Sequence, residues 1–334
     1  MENTIHDVRG HLLNHIILYF LLINSFNSKK RLTSLAWIIV ISATTFSITG
    51  MFYYYTIMDN PIETIRFGHL LFDSVNVSTE LPVNFIGTLT IFAILICLNF
   101  FFQESRFDRR VTIITCTIPL LVATLLTQSK GSFVSLVIAS TILLLLKAKK
   151  IALFFLIAMV LIGIFTPLKT ESLKQRLAIN YVTYEVIKDH PILGIGFGMQ
   201  TFINNIDKES YMNRVPEKYR PEEIYTPHNL LLDITVRLGL IGLILFFSII
   251  FVFGKMCRET IRKTRDDDIK EWGRFTVISF VAYFTIGMAE PVFLFSASAT
   301  VFYIILAIIT ILWRLNQEER VIHDQPDTAN NTNN

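Results

Sequence analysis

Charged residues are scarce in this sequence: only 17% of its 334 residues are Asp, Glu, Lys or Arg. A soluble protein of this length needs charge over its whole surface, so the shortage excludes an ordinary cytosolic enzyme. Cysteine is scarce as well, and the spacing of Cys97, Cys116 and Cys257 indicates neither a disulfide nor a zinc site. The net charge of +3 gives no reason to expect a nucleic-acid partner.

Apolar residues are abundant instead, at 52% of the chain with 28 phenylalanines and a mean hydropathy of +0.51. Long apolar stretches with almost no charge alternate with short basic runs. This pattern predicts an all-α protein, a polytopic transmembrane helix bundle of about nine spans. The expected spans are approximately 11–26, 34–57, 84–103, 111–127, 132–147, 151–167, 229–254, 275–293 and 295–313.

The spans fall into two groups separated by one large polar segment. We expect about six spans in 1–167, a large periplasmic helical loop in 168–227, about three spans in 228–314 and a disordered cytoplasmic tail in 315–334. The loop contains an amphipathic pattern over 171–189, which predicts a helix that ends before Pro191. Its apolar stripe, which includes Leu177, Tyr181 and Tyr184, is expected to pack on the spans or to lie at the membrane surface.

The distribution of Lys and Arg predicts the orientation. The loops after the first, third, fifth and seventh spans are basic, so they are expected to be cytoplasmic, which places the N-terminus and the alternate loops outside. The first apolar stretch has neither the basic start nor the small-residue cleavage site of a signal peptide. The functional candidates that this orientation gathers on the outer side are Arg66, Lys130, Arg176, His228, Arg237 and Glu290.

Several of these candidates admit two interpretations. The GxGxG run at 194–198 indicates either a tight turn, which we favour, or a nest of backbone amides that binds an anion. Thr226 is predicted to cap the seventh span with Pro227 at its first position. His228 would then lie in the first helical turn, as a general base or as an interfacial histidine that only bonds a loop.

Three other features also admit two interpretations, and for the turn at 127–132, taken alone, we favour the polar loop. Asp233 and Arg237 lie four residues apart on one helix face, as a structural ion pair or a functional pair. The TQSKGS turn at 127–132 is a polar loop with a snorkelling lysine or a phosphate clamp. Glu290 either orients a basic partner or marks the end of the eighth span.

Taken in order, three stretches resemble the O-antigen ligase and O-antigen polymerase superfamily. TQSKGS at 127–132 is similar to the family's T-x-S-R-G-[AS] turn. The stretch 176–198 resembles an arginine, a helix and then H-P-x-x-G-x-G, and 227–242 resembles the P-H-N…G-x-x-G entry into the next span. Together they cover roughly a quarter to a third of the chain.

The resemblance implies a multi-pass glycosyltransferase of the bacterial inner membrane whose active site faces the periplasm. Such an enzyme moves a glycan from undecaprenyl pyrophosphate to an acceptor, which in ligases is the lipid A-core, without metal, nucleotide or other cofactor. The residues it implicates in catalysis are His228, as the general base, with Arg176 and Lys130 on the pyrophosphate. The residues it implicates in substrate binding are Arg66, Arg237, Ser129, Asn229 and Glu290.

The sequence departs from the family pattern at Lys130, where arginine is usual, and at Arg237, where an acidic residue is common. About six spans precede the large loop in this sequence, whereas the resemblance to the family implies about nine. The alternatives within the superfamily are an O-antigen polymerase and a protein O-oligosaccharyltransferase. A transporter of lipid-linked glycan, from another class, would need charges along a path through the membrane, and an inactive descendant of such an enzyme remains a further option.

Overall fold

The computed structural model of the protein describes residues 7–57, 59, 67, 70–71, 80–81, 83–165, 170–198, 201–224, 226–292 and 296–324. Almost all of these residues are helical, and the predicted all-α fold is confirmed. Within these ranges the only strands are β1 (Leu70–Leu71) and β2 (Glu80–Leu81), which form a short antiparallel pair.

The helices follow one another in the order expected from the apolar stretches. They are α1 (Asn14–Ser25), α2 (Lys29–Phe52), α3 (Val83–Gln103), α4 (Phe107–Leu126), α5 (Lys130–Lys147), α6 (Lys149–Phe165), α7 (Thr170–Asp189), α8 (Thr201–Asn204), α9 (Lys208–Arg214), α10 (Leu230–Lys263), α11 (Asp267–Gly287) and α12 (Ser296–Asp324). Short π-helical turns precede α1 (Arg9–Leu13) and extend α2 (Tyr53–Ile57), and a 3₁₀ turn covers Glu217–Tyr219. Each of the predicted spans coincides with one of α1–α6 or α10–α12.

Six helices in the described part of the chain are long and apolar enough to cross a membrane by length and composition. They are Lys29–Ile57, Phe85–Gln103, Phe107–Leu126, Lys130–Lys147, Leu230–Lys263 and Ser298–Val321. The other three predicted spans correspond to α1 and α6, which are shorter, and to α11, whose first turns carry several charges.

A single large core holds these helices together. Phe275 and Phe302 are each 1% exposed at its centre, where aromatic rings of α3, α10, α11 and α12 meet. Large apolar side chains also cover the outside of the bundle, and Phe154 and Ile244 are 75% and 62% exposed there. Apolar residues on both faces of a helix are typical of a bundle that sits in lipid.

The basic loops meet at one end of this bundle. Lys29 bonds Asp266, and Lys147 bonds Glu271. Arg274 also contacts Glu271, at 2.5 Å. The loops after the first, fifth and seventh predicted spans therefore lie at the same end, as the charge pattern predicted.

The amphipathic helix α7 ends at Asp189, immediately before His190 and Pro191, as predicted. Its buried residues are Ala178, Ile179, Val182, Thr183 and Val186. Of the two positions expected for the apolar stripe, packing on the spans is wrong, because Leu177, Tyr181 and Tyr184 are 50%, 45% and 55% exposed. The other, at the membrane surface, stays a prediction. The aliphatic residues of the buried face recur with the same helical period. They lack the hydroxyl group that each tyrosine of the stripe carries, so they are the residues that are buried.

The expected disorder of the tail from residue 315 is wrong for its first part, because α12 continues to Asp324. Tertiary contacts hold this extension: Trp313 donates a 2.9 Å hydrogen bond to Glu259, and Thr264 donates one of 3.3 Å to Glu319. Residues 325–334 lie outside the described residues.

Candidate active site

His228 lies just before the helix α10 rather than inside it. The predicted cap at Thr226 is wrong: Asn229 caps the helix, and its Oδ1 accepts hydrogen bonds from the amides of Leu231 and Leu232 at 3.0 and 3.1 Å. Asn229 has extended backbone (φ −155°, ψ 124°), as an N-cap residue requires. The helix therefore begins later than predicted, and His228 directly precedes the residue that caps it.

A buried carboxylate joins two of the residues predicted to be catalytic. Glu290 Oε2 lies 3.1 Å from Nδ1 of His228, and Oε1 lies 2.7 Å from Nη2 of Arg176. The side chain of Glu290 is 5% exposed, whereas those of His228 and Arg176 are 23% and 30% exposed. The structure thus brings together three residues from α7, the start of α10 and the end of α11, with the two basic groups still reachable from solvent.

The turn that carries Glu290 is fixed from two sides. Arg176 Nη1 donates to the carbonyl of Ala289 at 2.9 Å, and Asn229 Nδ2 donates to the carbonyl of Met288 at 3.3 Å. These bonds satisfy backbone groups left over where α11 ends. Arg176 on α7 and the residues just before α10 therefore position the Glu290 carboxylate and also supply its partners.

The hydrogen bond to Glu290 determines which nitrogen of His228 carries the proton. A carboxylate only accepts hydrogen bonds, so Nδ1 must be the protonated nitrogen of a neutral imidazole and Nε2 must hold the lone pair. A histidine oriented by a carboxylate in this way is the arrangement of a general base. Nε2 of His228 can therefore accept a proton from a hydroxyl group placed in the open part of the site.

Lys130 is the first residue of α5, at the edge of this site. The neighbouring Gly131 is close enough to the turn of α11 that a Cβ atom on it would lie 3.4 Å from Cβ of Ala289. Lys130 itself is exposed. Ser129, predicted to bind substrate, is 9% exposed, and its hydroxyl caps α5 by accepting from the amide of Ser132 at 3.2 Å. The turn thus places a cation beside the site while Ser129 is used in the cap.

Arg237 is buried away from this opening. Its side chain is 1% exposed, and its Nε donates to Asp233 at 2.8 Å. The other guanidinium nitrogens donate to the carbonyl of Gly198, to Thr201 and to Thr226. The predicted substrate-binding role of Arg237 is therefore corrected, because protein groups occupy its donors: it is part of a structural ion pair.

The glycine-rich run after α7 packs into a break in α10. Gly239 has φ 65° and interrupts the helix, and the amides of Ile195 and Gly196 donate to the carbonyls of Val236 and Arg237 at 2.9 and 3.0 Å. The tight-turn interpretation is confirmed, because these amides face helix carbonyls rather than an anion site. The sequence analysis missed the break, although Gly239 within 237–242 was a local signal for it.

Two remaining predictions concern Arg66 and metal binding. Arg66 lies outside the described residues, so its proposed place in the site is not described. Among the residues that the structure describes, no group of three or more His, Cys, Asp or Glu side chains could hold a metal ion.

The fold and the site together describe a multi-pass helical membrane protein with a polar site at one end of the bundle. Residues 115–247 match the family described as O-antigen ligase. The resemblance to the O-antigen ligase superfamily is thereby confirmed. The matched segment contains Lys130, Arg176 and His228, whereas Glu290 lies beyond it.

The chain is also similar to curated proteins of Rickettsia. The chain is 31% identical over 117 residues to a protein of Rickettsia conorii named "Putative polysaccharide ligase", 32% to a relative in Rickettsia felis and 31% to one in Rickettsia typhi. Each similarity covers 35% of this chain. The matched segment spans only 26–27% of the length of these relatives.

Proposed function

We propose that the protein is an O-antigen ligase-like glycosyltransferase. It would move a glycan from undecaprenyl pyrophosphate to the lipid A-core, in lipopolysaccharide biosynthesis, at the periplasmic side of the bacterial inner membrane. The observation that carries the proposal is the Glu290 carboxylate shared between His228 and Arg176. This contact joins a group that can act as a general base to a cation that can neutralise a leaving group.

The first step of the proposed reaction is activation of the acceptor. A sugar hydroxyl of the acceptor gives its proton to Nε2 of His228 while its oxygen forms a bond to the anomeric carbon of the donor glycan. The bond between that carbon and the pyrophosphate oxygen breaks, and its electron pair leaves with the pyrophosphate. Attack from the face opposite the leaving group inverts the anomeric configuration. Glu290 stabilises the resulting imidazolium, as a carboxylate does beside a histidine base.

The second step is stabilisation of the departing pyrophosphate. Arg176 uses one Nη2–H on Glu290 and one Nη1–H on the Ala289 carbonyl, and a guanidinium has more N–H donors than these two bonds require. Its remaining donors and the ammonium of Lys130 can bond phosphate oxygens at the exposed edge of the site. Pyrophosphate is already a good leaving group, so positioning and charge stabilisation supply most of the catalysis, and no metal is required in this scheme.

The test is glycan transfer by purified protein in lipid vesicles, with lipid-linked donor and lipid A-core. His228→Gln should lower transfer by about 10²–10⁴-fold, the usual contribution of a positioned base. His190→Gln is the matched control, because His190 is an exposed histidine at the end of α7 and should be replaceable without loss.

The products distinguish the related functions. Glycan attached to lipid A-core supports the ligase, whereas polymerised repeats without core would identify a polymerase, and glycan on a protein acceptor would identify an O-oligosaccharyltransferase. If His228→Gln blocked movement of lipid-linked glycan across the vesicle membrane and left transfer intact, the enzyme proposal would fail in favour of a transporter.

A further inference from the structure

A second open site lies along the last turns of α10, at the end of this helix that is far from His228. It is a cleft of about 760 Å³. The residues that line it are Phe251, Gly254, Lys255, Arg258, Glu259, Arg262 and Lys263. These positions recur every three or four residues, so they form one face of the last turns of α10. The continuous part of α10 after its break at Gly239 covers 240–263 and spans roughly 36 Å, so these turns reach past a hydrocarbon core of about 30 Å.

The cleft has an excess of positive charge. Lys255, Arg258 and Arg262 form no ion pair or side-chain hydrogen bond within the described part of the chain, whereas the basic residues of the neighbouring loops bond Asp266 and Glu271. The acidic residue of the cleft, Glu259, accepts a 2.9 Å hydrogen bond from Trp313 and lies 3.7 Å from Lys263. The lining therefore has four basic residues and one acidic residue, and its net charge is positive.

The same cleft changes from apolar to basic along the helix. Phe251, at its membrane-proximal end, is 73% exposed, and a Cβ atom placed on Gly254 would meet no atom within 4 Å. One turn later the lining becomes cationic. An exposed apolar surface that continues into a cationic patch matches an acyl chain joined to a phosphate head group, and basic patches next to membrane-spanning helices are a known type of lipid site.

We propose that this cleft binds an anionic phospholipid. The head-group phosphate would lie between Lys255, Arg258 and Arg262, and one acyl chain would run along Phe251 and over Gly254. A soluble phosphate would use the cations only and would make no use of the apolar half of the cleft. The inference does not depend on the glycosyltransferase proposal, because the cleft and the His228 site lie at opposite ends of α10.

Lipid retention measured by native mass spectrometry tests this site. The purified full-length chain in detergent is mixed with phosphatidylglycerol or with phosphatidylcholine of the same acyl chains. We expect selective retention of phosphatidylglycerol, and a loss of about fivefold for each cation removed in Arg258→Gln and Arg262→Gln. Lys149→Gln with Lys150→Gln is the matched control, because it removes two exposed cations at the α5–α6 junction, outside the cleft.

A steric variant tests the apolar half of the cleft without changing its charge. Gly254→Leu fills the open space beside α10, and leucine is a better helix former than glycine, so the helix should be retained. We expect this variant to weaken phosphatidylglycerol retention several-fold. Equal retention of the two lipids, retention that survives both the charge and the steric variants, or displacement of the lipid by inorganic phosphate alone would overturn the proposal.

Discussion

The carboxylate of Glu290 accepts a hydrogen bond from Nδ1 of His228 across a separation of 62 residues. The bond is 3.1 Å long and its acceptor is almost completely buried, at 5% exposure. A buried carboxylate is costly without partners, and here one oxygen has the imidazole and the other has Arg176. The catalytic candidates are thus held together by an acidic residue that none of the three sequence motifs contains.

Replacement of Glu290 tests this relationship directly. In Glu290→Gln the new amide can donate to Nδ1, so the proton should move to Nε2, where it blocks proton uptake from the acceptor. We expect glycan transfer to fall by about 10²–10⁴-fold. The activity assay should be paired with ¹⁵N NMR of labelled histidine, which reports the protonated nitrogen.

Glu185→Gln is the control for this experiment, because Glu185 lies on α7 and forms an ion pair with Lys188 at 2.6 Å. A Glu290→Gln protein with normal transfer would show that the carboxylate only holds the turn in place. Loss of transfer with Nδ1 still protonated would show that the tautomer is not the cause.

Much of the fold could be predicted from the sequence, because membrane spans and helix periods are local properties. Each apolar stretch became a helix, and α7 ended before Pro191 as its backbone chemistry requires. The cap at Asn229 was missed because Thr226 and Pro227 gave a plausible earlier start, whereas the backbone is still extended at Asn229 and becomes helical only at Leu230.

The partners in the site could not be predicted in the same way. The orientation of the spans indicated that Arg176, His228 and Glu290 share one side of the membrane, but not that two of them bond the third. That result depends on how α7 packs against α10 and where α11 ends. Similarly, Arg237 was as compatible with a substrate site as with an ion pair until its burial to 1% was known.

Arg176 is expected to act on the donor. Arg176→Lys keeps the charge but cannot bond Glu290 and the Ala289 carbonyl in the same planar arrangement while it holds phosphate. The KM for the lipid-linked donor should rise about tenfold or more, and the KM for the acceptor should change little. Arg220→Lys, in the segment between α9 and α10, is the control. A defect confined to the acceptor would contradict the assigned role.

Lys130 should tolerate arginine. Lys130→Arg adds a planar group that can bond two phosphate oxygens at once, so transfer should be retained or increased. Lys130→Met removes the cation, so the rate of glycan transfer at low donor concentration should fall. Both variants are measured in the transfer assay described above. Complete loss of activity in Lys130→Arg would mean that this turn does not contact phosphate.

The buried pair of Asp233 and Arg237 should be important for stability. Arg237→Met leaves the carboxylate of Asp233 buried at 0% exposure without its cation, a change that typically costs about 3–5 kcal/mol. We expect a lower unfolding temperature in detergent, and partial recovery when Asp233→Leu is added. If the double variant were no more stable than Arg237→Met, the loss would come from the bonds to Gly198 and Thr201 instead.

Gly194 should not tolerate substitution by a residue with a side chain. It has φ +67°, and a Cβ atom on it would collide with the backbone of Arg237, where the loop enters the break in α10. Gly194→Ala therefore combines backbone strain of about 1–3 kcal/mol with a clash that no side-chain rotation relieves. The unfolding temperature should fall, whereas Gly254→Ala, which meets open space in a regular helix, should be neutral or stabilising. The loop donates hydrogen bonds to the carbonyls of Val236 and Arg237. A Gly194→Ala protein of unchanged stability would therefore show that these bonds do not stabilise α10, the helix that follows His228.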